Sequence, residues 1–200
     1  MQIIRKTIEH DLAYLRQISA PVDFDDKNLA AELTHLAEYA RKTACFALAA
    51  VQIGIPKRIL YLKDTSPDMA NYTMDHDEAR VIVNPKIISR RGHTKYWEAC
   101  LSCLDNTGLV SRPYEIVLEY FDADGTKHTD TFMGFESTVV SHEMDHFDGI
   151  LHMDIAEKNL YLSKEERMQL RESEPYQVIS KTCDFEAIAR EQAKRARIIS

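Results

Sequence analysis

The stretch Ser141-His142-Glu143-Met144-Asp145-His146 contains the pattern H-E-x-x-H and decides how the chain is interpreted. Residues four apart in an α-helix lie on one face, so His142 and His146 can present two imidazoles to one metal ion. Glu143 stands beside them, where its carboxylate can move a proton of water. Apolar neighbours favour a buried helix over residues 136–147. The competing interpretation is two core histidines next to a surface glutamate.

The composition bounds the class of protein. The chain has 200 residues, of which 44% are hydrophobic, enough for one cored domain or a domain with an extension. A net charge of −7 argues against nucleic acid as the main partner. No apolar run approaches the roughly 20 residues of a membrane span, and the first ten residues lack a signal-peptide pattern. We expect the cytoplasm, or an organelle whose targeting segment is absent, and reduced cysteines.

The periodicity of the chain predicts a mixed fold. Helical spacing of leucines and alanines predicts a helix from about residue 26 to 41, and 64–78, which includes His76, reads as a polar surface loop. Strands are predicted at 58–63, 80–85, 86–89, 114–121 and 127–132, with turns after the second and fourth. We divide the chain into a catalytic domain, 1–160, and a solvated C-terminal helical extension, 161–200.

Cys100 and Cys103 form a C-x-x-C pair that has three interpretations. The pair suits a redox motif or half of a zinc knuckle. A redox pair requires a helix that starts directly after a strand. A zinc knuckle requires a second C-x-x-C, which the sequence lacks. The third interpretation makes Cys103 a buried thiol without a role, and leaves Cys100 to be explained separately.

The third metal ligand has two candidates, and they imply different enzymes. Residues 142–152 satisfy H-E-x-x-H-x-x-G-x-x-H, the metzincin protease pattern, which would make His152 the ligand. Alternatively, Cys100 supplies a thiolate, and two imidazoles with one thiolate leave a fourth position for water.

Three segments together resemble the peptide deformylases. They are Ala47-Leu-Ala-Ala-Val-Gln52-Ile-Gly54-Ile-Pro56, Glu98-Ala-Cys100-Leu-Ser102 and His142-Glu-Met-Asp-His146-Phe-Asp-Gly149. Their order and spacing also match the family, and the resemblance covers about residues 10–160. Each motif alone is weak evidence, whereas three in register are specific, so we prefer Cys100 to His152 as the third ligand.

The resemblance implies a fold, a reaction and a metal. The fold is α+β, with antiparallel sheets packed around a central metal-binding helix. The reaction is hydrolytic removal of the N-formyl group from the formyl-methionine of newly synthesised polypeptides. Cys100, His142 and His146 would hold one divalent metal. The resemblance favours Fe²⁺ as the native ion, and Zn²⁺, Ni²⁺ or Co²⁺ also suit these ligands.

The resemblance also assigns roles to other residues. Glu143 would take a proton from water and deliver it to the departing amine. The side chain of Gln52 and the backbone N–H of Leu101 would stabilise the developing oxyanion, although a lone buried glutamine is also explained by ordinary hydrogen bonding. The backbones that would pair with the peptide as an added strand are those of Phe46, Ala47 and Ala99. The residues that would orient ligands and loops are Glu98, Arg112 and Asp145, and the alternative for Arg112 is an ordinary surface charge.

The chain departs from the family pattern where glycine is usual, at Cys45, Ala47 and Ala99. If the backbone there has a positive φ, a side chain costs about 1 kcal/mol or more in strain. If φ is negative, the added Cβ only narrows the peptide groove. The metal site should survive in both cases, whereas turnover rate and substrate are affected.

Three functional classes therefore stand at this stage. The first is a deformylase acting on N-formyl-methionyl nascent peptides, with the ribosome exit region as a possible further partner, as a monomer or homodimer. The second is a divergent homologue that acts on another N-formyl amine or binds without turnover. The third is a zinc metalloprotease with His152 on the metal.

Overall fold

The computed structural model describes residues 5–63 and 79–199. The predicted loop 64–78, with His76, lies outside them. The helices in the described part are α1 Leu12–Leu15, α2 Leu29–Thr43, α3 Phe135–Phe147, α4 His152–Ile155, α5 Lys164–Ser173 and α6 Glu186–Ile199. The strands there are β1 Ala47–Ala49, β2 Ile59–Lys63, β3 Ala79–Ala99, β4 Asn106–Arg112, β5 Glu115–Phe121, β6 Lys127–Met133, β7 Lys158–Tyr161 and β8 Gln177–Asp184. Within those ranges, no helix is long and apolar enough to span a lipid bilayer.

The long strand β3 connects all the others into one sheet. It pairs with β2 through its first part, with β5 and β8 through its middle and with β4 at its end. Strands β1 and β7 extend the sheet beyond β2 and β4, and β6 pairs with β5. Every one of these pairings is antiparallel, which confirms the predicted α+β class.

The predicted turn between residues 80–85 and 86–89 is wrong. Residues 79–99 form one strand, with a shift in register between Val83 and Lys86. Asn84 takes the left-handed conformation there, with φ of 50°, and its side chain bonds both the N–H and the carbonyl of Val22. Asn-Pro is typical of turns, but tertiary pairing converts it into a bulge that lets β3 leave β2 and join β5.

Two helices cover opposite faces of the sheet near β2. Its alternate residues Ile59 and Tyr61 pack in the core cluster that contains α2, whereas Leu60 and Leu62 pack in the cluster that contains α3. This alternation follows from the two-residue period of a strand. Helix α2 begins at Leu29, a few residues after the predicted start at about residue 26. Asp26 instead accepts a hydrogen bond from the N–H of Asn28 in a turn that precedes the helix.

The C-terminal segment is only partly the solvated helical extension that the pattern predicted. Helix α5 buries no residue and begins with the expected capping box of Ser163 and Glu166. The strand β8 was not predicted, and it pairs with β3 in the main sheet. Phe185 and Gln192 are buried, so α6 packs on the domain. The division of the chain at residue 160 stays a prediction.

Gly149 ends α3 in the predicted way, with φ of +69°. A Cβ added there would lie 2.2 Å from the backbone oxygen of Arg16. We expect Gly149→Ala to lower the free energy of unfolding by about 2–5 kcal/mol, from left-handed strain plus overpacking. Urea unfolding measures this loss.

The matched control for that substitution is Gly125→Ala. Gly125 also has a positive φ of +81°, but its added Cβ would meet only the Phe24 ring at an ordinary 3.5 Å. The control should therefore lose only about 1 kcal/mol. Equal losses in the two variants would contradict the clash with Arg16.

Candidate active site

Three potential metal ligands converge where β3 meets α3. Cys100 directly follows β3, and His142 and His146 lie one turn apart on α3. One ligand atom from each lies within 4.8 Å of the others. The Cys100 Sγ is 3.2 Å from His146 Nε2. The elements thus bring together the three residues that the sequence motifs predicted.

His152, the competing third ligand, is not part of this cluster. Its ring stacks on that of His142, with centroids 5.7 Å apart. Its two nitrogens have no hydrogen-bond partner among the described residues, and burial lowers the pKa of His152 to about 4. The structure therefore brings Cys100, and not His152, to the two imidazoles, which disfavours the metzincin interpretation.

The cluster fits a divalent transition metal by the chemistry of its donors. A thiol and two imidazoles suit iron, nickel, cobalt or zinc. The hydrogen bond between the Cys100 thiol and Cys103, together with burial, raises the pKa of Cys100 to about 11. The thiol of the metal-free protein is therefore protonated at neutral pH, and metal binding must release that proton.

A buried ionic network fixes the orientation of His142. Its Nδ1 lies 2.8 Å from Glu98 Oε2, which leaves Nε2 to face the cluster. Arg112 binds both oxygens of Glu98 at 2.8 and 2.9 Å and also donates to Asp145. Burial opposes ionisation of Glu98, but the charge and hydrogen bonds of Arg112 hold its pKa well below the ordinary value.

Gln52 lies in a single 3-10 turn, Ala50–Ile53, and its amide group is fully engaged. The Nε2 atom donates to Cys100 Sγ at 3.3 Å and to Ser102 Oγ at 3.2 Å. The Oε1 atom accepts from the N–H of Ala49 at 3.0 Å. The side chain therefore positions the sulfur of the cluster, in addition to any role toward a substrate.

Glu143 is buried on the cluster side of α3. Its Oε2 accepts from the N–H of Ala49 at 2.8 Å, so one oxygen is held by the sheet. Burial raises the pKa of Glu143, and the positive charge of His142 and the Ala49 hydrogen bond only partly offset that rise. A carboxylate with a raised pKa is suited to accept and then return a proton near neutral pH.

A cavity of about 410 Å³ opens onto the cluster. Among its lining residues are nine of the predicted site residues: Phe46, Ala47, Gln52, Glu98, Ala99, Cys100, Leu101, His142 and Glu143. The other three, His146, Arg112 and Asp145, do not line it. Arg112 and Asp145 face a second cavity of about 300 Å³ behind α3. Arg112 binds Glu98 and Asp145, so Arg112 and Asp145 contact the cluster through other side chains, and their orienting role stays a prediction.

The three positions where the family usually has glycine all line the cavity. Neither Cys45, Ala47 nor Ala99 has a positive φ. The strain alternative is therefore excluded, and the added side chains act by narrowing the groove. Of the predicted peptide-pairing backbones, the Phe46 carbonyl already accepts from the N–H of Lys63.

Several cavity residues were missed by the sequence motifs. Three of them share the face of α3 that carries His142: Phe135, Thr138 and Val139. They precede His142 by seven, four and three residues, which is the spacing of one helical face. This spacing is a signal that the sequence offered. Tyr96 and Arg171 also line the cavity, and no motif marked them.

The comparisons with known proteins agree with this geometry. The model of the family described as polypeptide deformylase matches residues 4–160. A peptide deformylase of Pelagibacter ubique is 40% identical over 155 residues, which is 75% of this chain and 81% of the relative.

Two solved structures have the same fold. A probable peptide deformylase from Synechococcus phage S-SSM7 has a TM-score of 0.65 and 32% identity, over 76% of this chain and 99% of the other. A class I type b enzyme from Acinetobacter baumannii, solved with Met-Ala-Ser bound, has a TM-score of 0.66 and 26% identity, over 76% of this chain and 97% of the other. The matched family, the relatives and the converged cluster lead to one conclusion: the chain belongs to the peptide deformylase family.

Proposed function

We propose that this chain hydrolyses the N-formyl group from the formyl-methionine that begins newly synthesised polypeptides. The observation that carries the proposal is the convergence of Cys100, His142 and His146. Two of these residues, Cys100 and His142, line the same cavity as Glu143. Family membership supplies the reaction, and the geometry supplies residues of the right chemistry in this chain.

We propose that Cys100, His142 and His146 hold one divalent metal, natively Fe²⁺, with Zn²⁺ or Ni²⁺ as other ions that suit the ligands. When bound, the metal supplies the Lewis acidity that makes water nucleophilic near neutral pH. The protein prepares the ligands for it. Glu98 orients one imidazole, and hydrogen bonds from Gln52 and from the N–H of Ser102 orient the sulfur.

Glu143 moves the proton in the proposed reaction. Its carboxylate takes a proton from the attacking water, and returns it to the amine of methionine as the formyl carbon–nitrogen bond breaks. The Ala49 hydrogen bond holds the carboxylate in place during both transfers. Formate and a free amino terminus are the products.

We propose two hydrogen-bond donors that stabilise the oxyanion. The N–H of Leu101 has no hydrogen-bond partner among the described residues, and Leu101 lines the cavity. The amide of Gln52 is the second donor, and it must exchange its bond to Ser102 or to Cys100 for the substrate oxygen. The peptide itself lies between the backbones of Ala47 and Ala99 as an added strand, in a groove that their methyl groups narrow.

The wider setting follows from a nascent substrate. We propose the cytoplasm as the location and the ribosome exit region as a partner, because the formylated amino terminus emerges there. A monomer or a homodimer is compatible with this role. The added side chains narrow the groove, so we expect it to accept few residue types at the first positions of the peptide. Because the groove is narrowed, another N-formyl amine is the second candidate substrate.

The function and the ligand set are tested together by Cys100→Ser. We expect the purified wild type, loaded anaerobically with ferrous iron, to deformylate formyl-Met-Ala-Ser and to leave casein intact. Cys100→Ser should lose bound metal and activity, because a hydroxyl is a far poorer ligand than a thiolate. Metal analysis and the appearance of free amine measure both.

The matched control is Cys183→Ser, the same substitution at a half-buried thiol of β8 that does not belong to the cluster. It should keep its metal. Full metal content and deformylation in Cys100→Ser would reject the ligand assignment, and cleavage of casein would reject the deformylase proposal in favour of a protease.

A further inference from the structure

Arg171 reaches the active-site cavity from α5, beyond residue 160, where the match to the family model ends. Its Nε and Nη2 both donate to the carbonyl oxygen of Trp97, at 2.9 and 2.7 Å. Its guanidinium lies 4.8 Å from the centre of the Tyr96 ring. Two hydrogen bonds and a cation–π contact thus hold the group in one orientation at the cavity wall.

The Arg171 side chain binds one edge of β3, and that edge continues to the active-site cavity. Trp97 and Ala99 are two residues apart, so their backbone polar groups point to the same edge of the strand. On that edge Lys95 pairs with β8, Trp97 bonds Arg171, and Ala99 faces the cavity. Pairing partners from this protein therefore occupy the edge up to Trp97, and Ala99 is the next position along it.

A peptide bound at Ala99 must then run toward Arg171. Its formyl end lies at Cys100, so the chain that follows methionine extends back along β3, from Ala99 toward Trp97. Two residues of extended chain cover about 7 Å. Trp97, whose carbonyl oxygen binds the guanidinium, is two residues from Ala99 along the strand, so the next peptide residues would arrive beside Arg171.

The charge of Arg171 lacks a counterion. It forms no ion pair with any described residue, and it is the single lysine or arginine among the described residues that line the cavity. Arg167 lies one turn earlier on α5, and its Nη1 is buried without a partner within the described chain. Burial lowers the pKa of Arg171, and the nearby acidic groups of Tyr96 and Glu98 offset that fall only in part.

We propose that Arg171 is a specificity-determining residue that favours an acidic side chain at one of the two positions after formyl-methionine. The guanidinium occupies the carbonyl of Trp97, so the bound peptide cannot pair with β3 beyond that residue. The peptide residues after methionine therefore meet the positive charge of Arg171, which no ion pair with a described residue neutralises. This inference rests on the proposed function, since it assumes a peptide bound with its formyl end at Cys100.

The test measures binding as well as turnover. The metal-loaded enzyme is titrated with the product-like amides Met-Glu-Ala, Met-Gln-Ala, Met-Ala-Glu and Met-Ala-Gln, and each formylated counterpart is assayed for deformylation. At low ionic strength we expect the glutamate peptide to bind about two- to fivefold more tightly than its glutamine partner at one position or both. The preference should shrink as salt is added.

Variants assign the preference to this side chain. In Arg171→Gln, which keeps a hydrogen-bond donor for Trp97, the glutamate and glutamine peptides should bind equally. Arg171→Lys, which keeps a positive charge, should retain part of the preference. Lys164→Gln, at an exposed position of the same helix, should keep all of it.

Equal binding of the paired peptides by the wild type, or a preference that survives in Arg171→Gln, overturns the inference. If Arg171→Gln does not fold, the salt dependence of the wild type and the behaviour of Arg171→Lys decide it. Absence of turnover with every formylated peptide would reject the proposed function, whereas the binding ratios judge Arg171 separately.

Discussion

Replacing Glu143 with alanine is expected to lower the turnover of a formyl-methionyl peptide by about 10²–10⁴-fold, the usual contribution of a positioned acid–base group. The bound metal should remain, because Glu143 is not one of the three clustered ligands. The loss follows from the position of the carboxylate, which lines the cavity and is held by the N–H of Ala49. Steady-state kinetics and metal analysis of the same preparation measure the two effects.

Glu136→Ala is the matched control for that substitution. Glu136 lies in the first turn of the same helix and does not line the described cavity. Its removal should leave the rate constant for deformylation near that of the wild type. An unchanged rate in Glu143→Ala would remove this residue from the mechanism, and loss of metal in that variant would make it a structural residue.

Replacing Arg112 with methionine is expected to lower the free energy of unfolding by about 3–5 kcal/mol, the usual cost of removing one partner of a buried ion pair. The side chains of Arg112 and Glu98 are 5% and 4% exposed. Without the guanidinium, Glu98 is a buried charge that keeps, among the described residues, only its hydrogen bond with His142. Asp145 also loses the hydrogen bond that Arg112 donates to it. Urea unfolding of the metal-free protein, followed by Trp97 fluorescence, measures the change.

Arg91→Met tests whether burial is the cause. Arg91 makes the same two-bond contact with Glu115, at 2.7 and 2.8 Å, but its side chain is 58% exposed. An exposed pair contributes little, so this variant should unfold almost as the wild type does. Similar losses in the two variants would show that hydrogen-bond geometry, and not burial, governs the contribution of Arg112.

Local patterns predicted several elements correctly. The helix that carries the two histidines, the hairpin of β5 and β6 and the capping box of α5 lie where periodicity and turn residues placed them. These features depend on interactions between residues that are close in sequence. The bulge at Asn84 and the strands β1, β4, β7 and β8 were missed, because they exist only through pairing with other segments.

The sequence alone determined the two histidines, their glutamate and the three motifs in register, because helical spacing and residue chemistry are local properties. It left open whether Cys100 or His152 completes the cluster in His142-Glu-Met-Asp-His146. Tertiary structure decided that choice by placing the end of β3 against α3. It also decided the negative φ of the residues in place of glycine, and brought Arg171 from α5 to the cavity. Contacts between residues far apart in sequence control these features, and no local pattern encodes them.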